Sequence, residues 1–257
     1  MAQNVKNVIV GAANIFVSTG NGSSRPNTSV AGSNDLGWTA TTSAAGYLSA
    51  SGKWRNVGYT NTGFEVSYEP GYGEVMVDQL LDAARLFKQT LKIMLKTELT
   101  EATLENINLV FGQQDSYVTY NATNSSTNTE NSFVPATSVT PGVANATLNL
   151  AAGSLGDYPV ERSLVAIGNV PQNIGTEATN YNVNGVAAPG VQDTFGLQKK
   201  ERIYVARRIV QMQTTAHAMK RDGATVFPVQ FRCLPDDNDI YDGQEYGIII
   251  DRVWGTN

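Results

Sequence analysis

The chain holds one cysteine, Cys233, and one histidine, His217. A single cysteine excludes a disulfide within the chain. A single histidine leaves a Ser-His-Asp or Cys-His site one choice of base, and no G-x-S-x-G motif accompanies it. Charge is scarce too, at 16% of 257 residues, against about 25% in ordinary soluble chains. Basic charge is the scarcer sign: 18 Lys and Arg face 23 Asp and Glu, a net charge of −5. That balance excludes a basic footprint for gripping nucleic acid. No run of about 18 apolar residues occurs, so no membrane span is expected. The N-terminus has no charged stretch leading into an apolar one, so no signal peptide is expected. Sequons at Asn27, Asn121, Asn124 and Asn145 are what chance gives in a chain this rich in Asn, Ser and Thr.

Asn, Thr, Ser and Gly fill the place of the missing charge, a composition suited to strands and turns. At this length a mainly β chain is expected to form a single domain over residues 1–257. Residues 19–50 read as a loop or arm, with Trp38, Tyr47 and Leu48 as its local anchors. Residues 54–59 and 63–69 read as strands on either side of a turn at Thr60-Asn61-Thr62. In the second, Phe64, Val66 and Tyr68 alternate with Glu65, Ser67 and Glu69, the period of a half-buried strand. Alternation breaks at Pro70-Gly71 and then resumes. Residues 80–99 fit a helical stripe and a strand alike, leaning to helix first and strand second.

A helix follows, with Thr100 as its N-cap, Leu104, Ile107 and Phe111 as its apolar face, and Gly112 at its end. Residues 113–198 are almost uncharged, with Arg162 the only basic residue before Lys199. They read as short strands or a surface insertion. Strand-like sequence returns at residues 202–205, 209–210, 225–234 and 246–253, with Pro228 marking an edge or a strand start.

Little of this points to catalysis, and no enzyme activity or cofactor is expected. Alternation buries Cys233 as an inert thiol. Asp237 and Asp239 fit the first two ligand positions of a calcium loop, but Tyr241 and Asp242 break the register. Gly71-Tyr72-Gly73 lacks a P-loop lysine. The most informative pattern is electrostatic. Between Arg55 and Arg85 there is no Lys or Arg, yet Glu65, Glu69, Glu74 and Asp78 fall there. Glu65 and Glu69 share one strand face, and Glu74 and Asp78 share another. Such a face is either a solvated sheet surface or an acidic wall that repels phosphate. Basic Lys199, Lys200, Arg202, Arg207 and Arg208 are expected to meet acidic Asp236, Asp237 and Asp239 between subunits.

The block Trp54-Arg55-Asn56-Val57-Gly58-Tyr59-Thr60-Asn61-Thr62-Gly63 resembles the W-x-x-x-G-x-T-x-x-G segment of bacteriophage tail tube (major tail) proteins. Glu74-Val75-Met76-Val77-Asp78-Gln79 resembles the strand that follows in them. Glu101-Ala102-Thr103-Leu104-Glu105-Asn106-Ile107 with Gly112 resembles their E-x-T-L-x-N-L…G helix. Phe227-Pro228-Val229-Gln230-Phe231-Arg232-Cys233-Leu234-Pro235-Asp236 resembles their F-P-V-x-F-x-x-L-x-D strand. The blocks fall within residues 54–112 and 199–251, and residues 113–198 match none of them.

The resemblance implies a mainly β fold: an antiparallel β-sandwich or barrel-like tail tube domain with one flanking α-helix. It implies stacked homo-hexameric rings with a shared inner β-barrel, and it favours strand over helix for residues 87–99. The implied partners are other copies of the chain, a tape measure protein, tail terminator and baseplate or distal tail proteins. Double-stranded DNA would pass through without specific binding, and no membrane is involved. The implied location is the virion tail, assembled in the host cytoplasm. Another tail component, a distal tail, baseplate or receptor-binding protein, is the alternative.

Overall fold

A computed structural model describes residues 13–19, 43–50, 54–76, 84–121, 145–152, 156, 158–169, 199–212, 225–237 and 242–254. In chain order the elements are β1 (Asn14–Ser18), α1 (Ala44–Ala50), β2 (Trp54–Asn56), β3 (Thr60–Val75), β4 (Arg85–Leu99) and α2 (Leu104–Phe111). Then come a 3-10 turn (Asp115–Tyr117), β5 (Val118–Asn121), β6 (Asn145–Leu148), β7 (Glu161–Gly168), β8 (Lys199–Gln211), β9 (Phe227–Leu234) and β10 (Gly247–Trp254).

The protein is mainly β, and its main sheet is antiparallel and open. Seven strands run in the order β2-β1-β7-β8-β9-β4-β3, and β10 also pairs with β8. β5 and β6 make a separate two-stranded sheet. One edge of β8 serves two strands in turn. Arg208–Gln211 pair with the end of β9, and Lys199–Ala206 pair with β10. Near the end of β9 the Asp236 amide donates to the Glu245 carbonyl at 2.9 Å, just before β10.

Alternation builds the cores. In β9 the burial strictly alternates: Phe227, Val229, Phe231 and Cys233 point inward. They meet Leu95 and Leu99 of β4, Ile15 and Val17 of β1, Leu164 of β7, and Leu109 and Val110 of α2. The opposite face of β1, β7 and β8 forms a second core of Phe16, Val165, Ile167, Ile203 and Val205. Ala44 and Leu48 of α1 cover it, and each buried side chain of this size contributes roughly 1.5–3 kcal/mol.

Helix α1 lies within the segment expected to be a loop. It is held from outside: the Glu201 carboxylate on β8 accepts from the Ala44 amide at 3.0 Å, where an anion is favoured. Leu48 is an anchor, as expected.

The break expected at Pro70-Gly71 and the turn expected at residues 60–62 both lie inside a continuous β3. Among the described residues β3 pairs only with β4, and an edge strand tolerates a proline. Strand β4 fixes residues 85–99 as strand rather than helix.

Candidate functional site

The structural feature that stands out is the hairpin of β3 and β4. Strand β9 pairs with β4 only from Met94 to Leu99. From the Tyr68–Ile93 pair outward, the two strands have only each other among the described residues. A two-stranded ribbon is marginal in water by itself. Exposure follows: every residue from Ala84 to Thr90 is exposed, and inward alternation begins only at Leu91.

The ribbon has two unlike faces. One is apolar, with Val66 opposite Leu95 and Tyr68 opposite Ile93. At its base Phe64 packs edge-on to Tyr204, with ring centroids 5.9 Å apart. Farther out Tyr68 and Tyr72 are 58% and 61% exposed, an unusual setting for large side chains. The Lys88 ammonium lies 5.4 Å above the Tyr68 ring and donates to the Tyr68 hydroxyl at 3.0 Å. That hydrogen bond holds the ammonium above the ordinary lysine range. Beyond Gly71 the register shifts, leaving Gln89 as an extra residue on β4. On the opposite face, the one with Glu65 and Glu69, the Phe87 ring then covers Gly73, where a Cβ would sit 2.5 Å from it.

The other face is polar. Glu65 lies opposite Lys96 and Glu69 opposite Lys92, with Glu65 and Lys96 3.7 Å apart. Glu98 and Arg232 share this face by register. Arg85, opposite Val75, falls on this face as well, so three acids stand among four bases and the face expected to be acidic carries both signs of charge. The sequence segment is acidic because it is one strand. Pairing brings in β4, whose lysines carry the same four-residue spacing as the glutamates. Glu74 lies on the apolar side, opposite Leu86. Asp78 lies outside the described residues.

Three arginines expected to face acidic residues of another subunit have partners inside the chain, and their carboxylate partners are Glu161 and Asp251. Buried Arg207 donates to the Gln244 carbonyl at 3.1 Å and its side-chain oxygen at 3.0 Å. Arg208 forks onto Glu161 at 3.0 and 2.7 Å and donates to the Pro235 carbonyl. Arg202 forks onto Asp251. Both Arg202 and Arg208 are raised above the ordinary range, chiefly by these hydrogen bonds. Asp236 is buried and Asp237 exposed, while Asp239 lies outside the described residues. Lys199 and Lys200 pair by backbone with Trp254 and Val253.

The helix differs from its expected form. Its N-cap is Thr103, whose hydroxyl accepts from the Asn106 amide. Thr100 and Glu101 instead bind back to the β2–β3 connection. The Thr100 hydroxyl donates to the Tyr59 carbonyl at 2.9 Å, and the Glu101 carboxylate accepts from the Tyr59 amide at 3.0 Å. Gly58 is required there: its φ is +82°, and a Cβ would lie 2.0 Å from that carboxylate. Gly112 ends the helix in the left-handed conformation, as expected.

Of the expected apolar face Leu104, Ile107 and Phe111, Ile107 packs on the core, Leu104 is half-buried and Phe111 is 39% exposed. The buried positions are Asn106, Asn108, Leu109 and Val110. Asn106 is buried because its amide donates to the Val57 and Glu101 carbonyls, both at 2.9 Å, and accepts from Arg55. Burial lowers the Arg55 guanidinium to about 10.

Two clamps escaped sequence reasoning. Buried Arg162 on β7 forks onto Asp115 at 2.9 and 2.6 Å, and also donates to the Gln113 and Ser18 carbonyls. The available signal was its isolation, a lone arginine in an uncharged stretch. The other is Glu201, which caps α1 and accepts from Arg252.

Cys233 is buried, and burial alone pushes its thiol up to about 12. The folded value exceeds the unfolded one. Its stabilising share is therefore complete below about pH 8.5 and declines as pH rises toward 12. A thiol reagent at neutral pH is expected to leave the folded protein unlabelled and to label it stoichiometrically in denaturant. Rapid labelling of the folded state would contradict the placement. Among the described residues no group of three or more His, Cys, Asp and Glu is arranged to hold a metal ion. His217 lies outside them.

The fold thus defines a mainly β protein with an open antiparallel sheet and a projecting, two-faced ribbon. No protein-family model matches the chain, nor does any curated protein.

Proposed function

We propose that the chain is the tube-forming subunit of a bacteriophage tail, with a sandwich or barrel-like tail tube fold that is completed in a ring. The observation that carries this reading is the β3–β4 ribbon, largely apolar on one side and bearing charges of both signs on the other. A sheet with open edges invites more strands. Joining ribbons edge to edge around a ring removes those edges, as closure does in any barrel. The polar face then lines the bore, and the apolar face turns outward to be covered by protein. Each lysine on the bore side stands opposite a glutamate, so DNA phosphates meet little net attraction and slide past. The activity is assembly, without chemical turnover. The partners are copies of the same chain in stacked hexameric rings, tape measure, terminator and baseplate proteins, and DNA in transit, all within the virion tail.

Electron microscopy of the purified protein, with sedimentation over rising concentration, tests this. Stacked rings or long hollow tubes are the expected result. A protein that stays monomeric at high concentration would overturn it.

A further inference from the structure

The edge of β4 that pairs with β9 does so only as far as Met94. Farther out, residues 86–90 have β3 on one side and, among the described residues, no strand on the other. Strand β10 is in the same position, bonded to β8 on one edge and open on the other over residues 248–251. These two open edges run side by side. Leu234 of β9 and Gly247 of β10 sit on the same edge of β8, opposite Arg208 and Ala206. Followed from Met94 toward Arg85, β4 therefore passes the end of β9 and comes alongside β10, antiparallel to it. Counted through the irregularity between Arg162 and Leu164 and past the extra Gln89, Thr90 stands level with Ile248, Lys88 with Ile249, Phe87 with Ile250 and Leu86 with Asp251.

Every one of these pairs matches in face. Lys88 and Leu86 share the side of Tyr204 with Ile249 and Asp251. Thr90 and Phe87 share the α1 side with Ile248 and Ile250. Lys88 then lies diagonal to Asp251, an attractive placement. Arg85 would face Arg252, so the match ends at Leu86. The Lys88 ammonium, raised chiefly by its hydrogen bond to Tyr68, is raised further by Tyr246, the residue before β10, so the two edges are already close. Leu86, Phe87 and Ile249 are exposed while the edges stand apart. We infer that the outer ribbon closes onto β10 in the lone subunit and opens when another copy takes the same edge of β4. Pro70-Gly71 and the bulge at Gln89 are the pivot, since a bulge bends its strand. One backbone edge bonds one neighbour at a time, so closure withholds the edge that joining in a ring needs. It also hides an open edge, the feature that lets β proteins aggregate. A ladder of four pairs is marginal, so closure is reversible. The closure stands on the registers, and its effect on assembly rests on the tube reading.

Lys88→Cys with Ile249→Cys, both at exposed positions, tests the register. Phe87→Cys with Ile250→Cys repeats the test at the next pair, because successive antiparallel pairs differ in Cα separation and a disulfide needs about 4.4–6.8 Å. Arg85→Cys with Ile249→Cys is the out-of-register control. Cys233 is buried and takes no part. Under mild oxidation at low concentration a matched pair is expected to close within one chain, losing two thiols at unchanged subunit mass, while the control keeps its thiols. The locked subunit should form at least about tenfold less polymer than the same subunit reduced, and reductant should restore it. Reduced variants that melt like the parent show that the fold is kept. Thiols that persist in both matched pairs, or a control that closes as fast, would overturn the closure. A locked subunit that polymerises like the reduced one would overturn its hold on assembly. If parent and reduced variants never leave the monomer, the tube reading falls, while the crosslink still decides the closure.

Discussion

Replacing residues 71–90 by an Asn-Gly turn is expected to abolish ring and tube formation while leaving the subunit folded. Pro70 and Leu91 already face each other across β3 and β4, the spacing that a two-residue hairpin turn closes. None of the removed described residues belongs to either core cluster. The change in unfolding free energy should therefore stay within about 1 kcal/mol, as for surface substitutions remote from packing. Negative-stain images would lose every polymer, and sedimentation would show one species of subunit mass. If the shortened protein still builds tubes of normal length, the ribbon is not the wall. If it unfolds, the ribbon belongs to the core.

Asp115→Ala is expected to lower stability by about 3 kcal/mol, read as a fall in denaturant midpoint at constant slope. The substitution leaves the Arg162 guanidinium, 6% exposed, facing carbonyls with no carboxylate. Breaking one side of a buried pair commonly costs about 3–5 kcal/mol. The lower figure applies because the Asp115 side chain is 38% exposed and keeps some contact with water. Adding Arg162→Met should recover part of the loss, because the stranded charge is removed and the length of the side chain is kept. A change under about 1 kcal/mol in the single variant would show that water already serves this arginine.

How much of this was legible in the sequence differs from element to element. Strand alternation was plain in residues 227–234, while in residues 91–99 a helical stripe competed with it until β9 and β3 paired on either side. It failed as a boundary signal at Pro70-Gly71, because an edge strand forgives what a central one does not. The helix end was readable, since Gly112 adopts the conformation that favours glycine. Its start was not. Thr100 was expected to cap it, but Thr100 and Glu101 are drawn to Tyr59, far back in the chain, and Thr103 takes the cap. Asn106 and Asn108 look like surface residues until their hydrogen bonds are known. Helix α1, only seven residues long, owes its first turn to Glu201. Propensity over so few residues cannot supply that information.

The charge on the ribbon's polar face gives the sharpest contrast. The sequence shows Glu65 and Glu69 as an acidic pair, and the cross-strand register shows each facing a lysine. Charge on a sheet face belongs to pairs of strands, so reading one strand gives half of the sum.

The detour between β9 and β10 has a practical side. Its two ends are tied together by the Asp236–Glu245 backbone bond, and the strands on either side hold their registers on β8 independently. An insertion between Asp237 and Asp242 that leaves Gln244 on Arg207 adds chiefly closure entropy, which grows as the logarithm of loop length. The site is thus a natural port for epitopes, tags or binding peptides, and in a polymer each grafted group would recur once per copy at regular spacing.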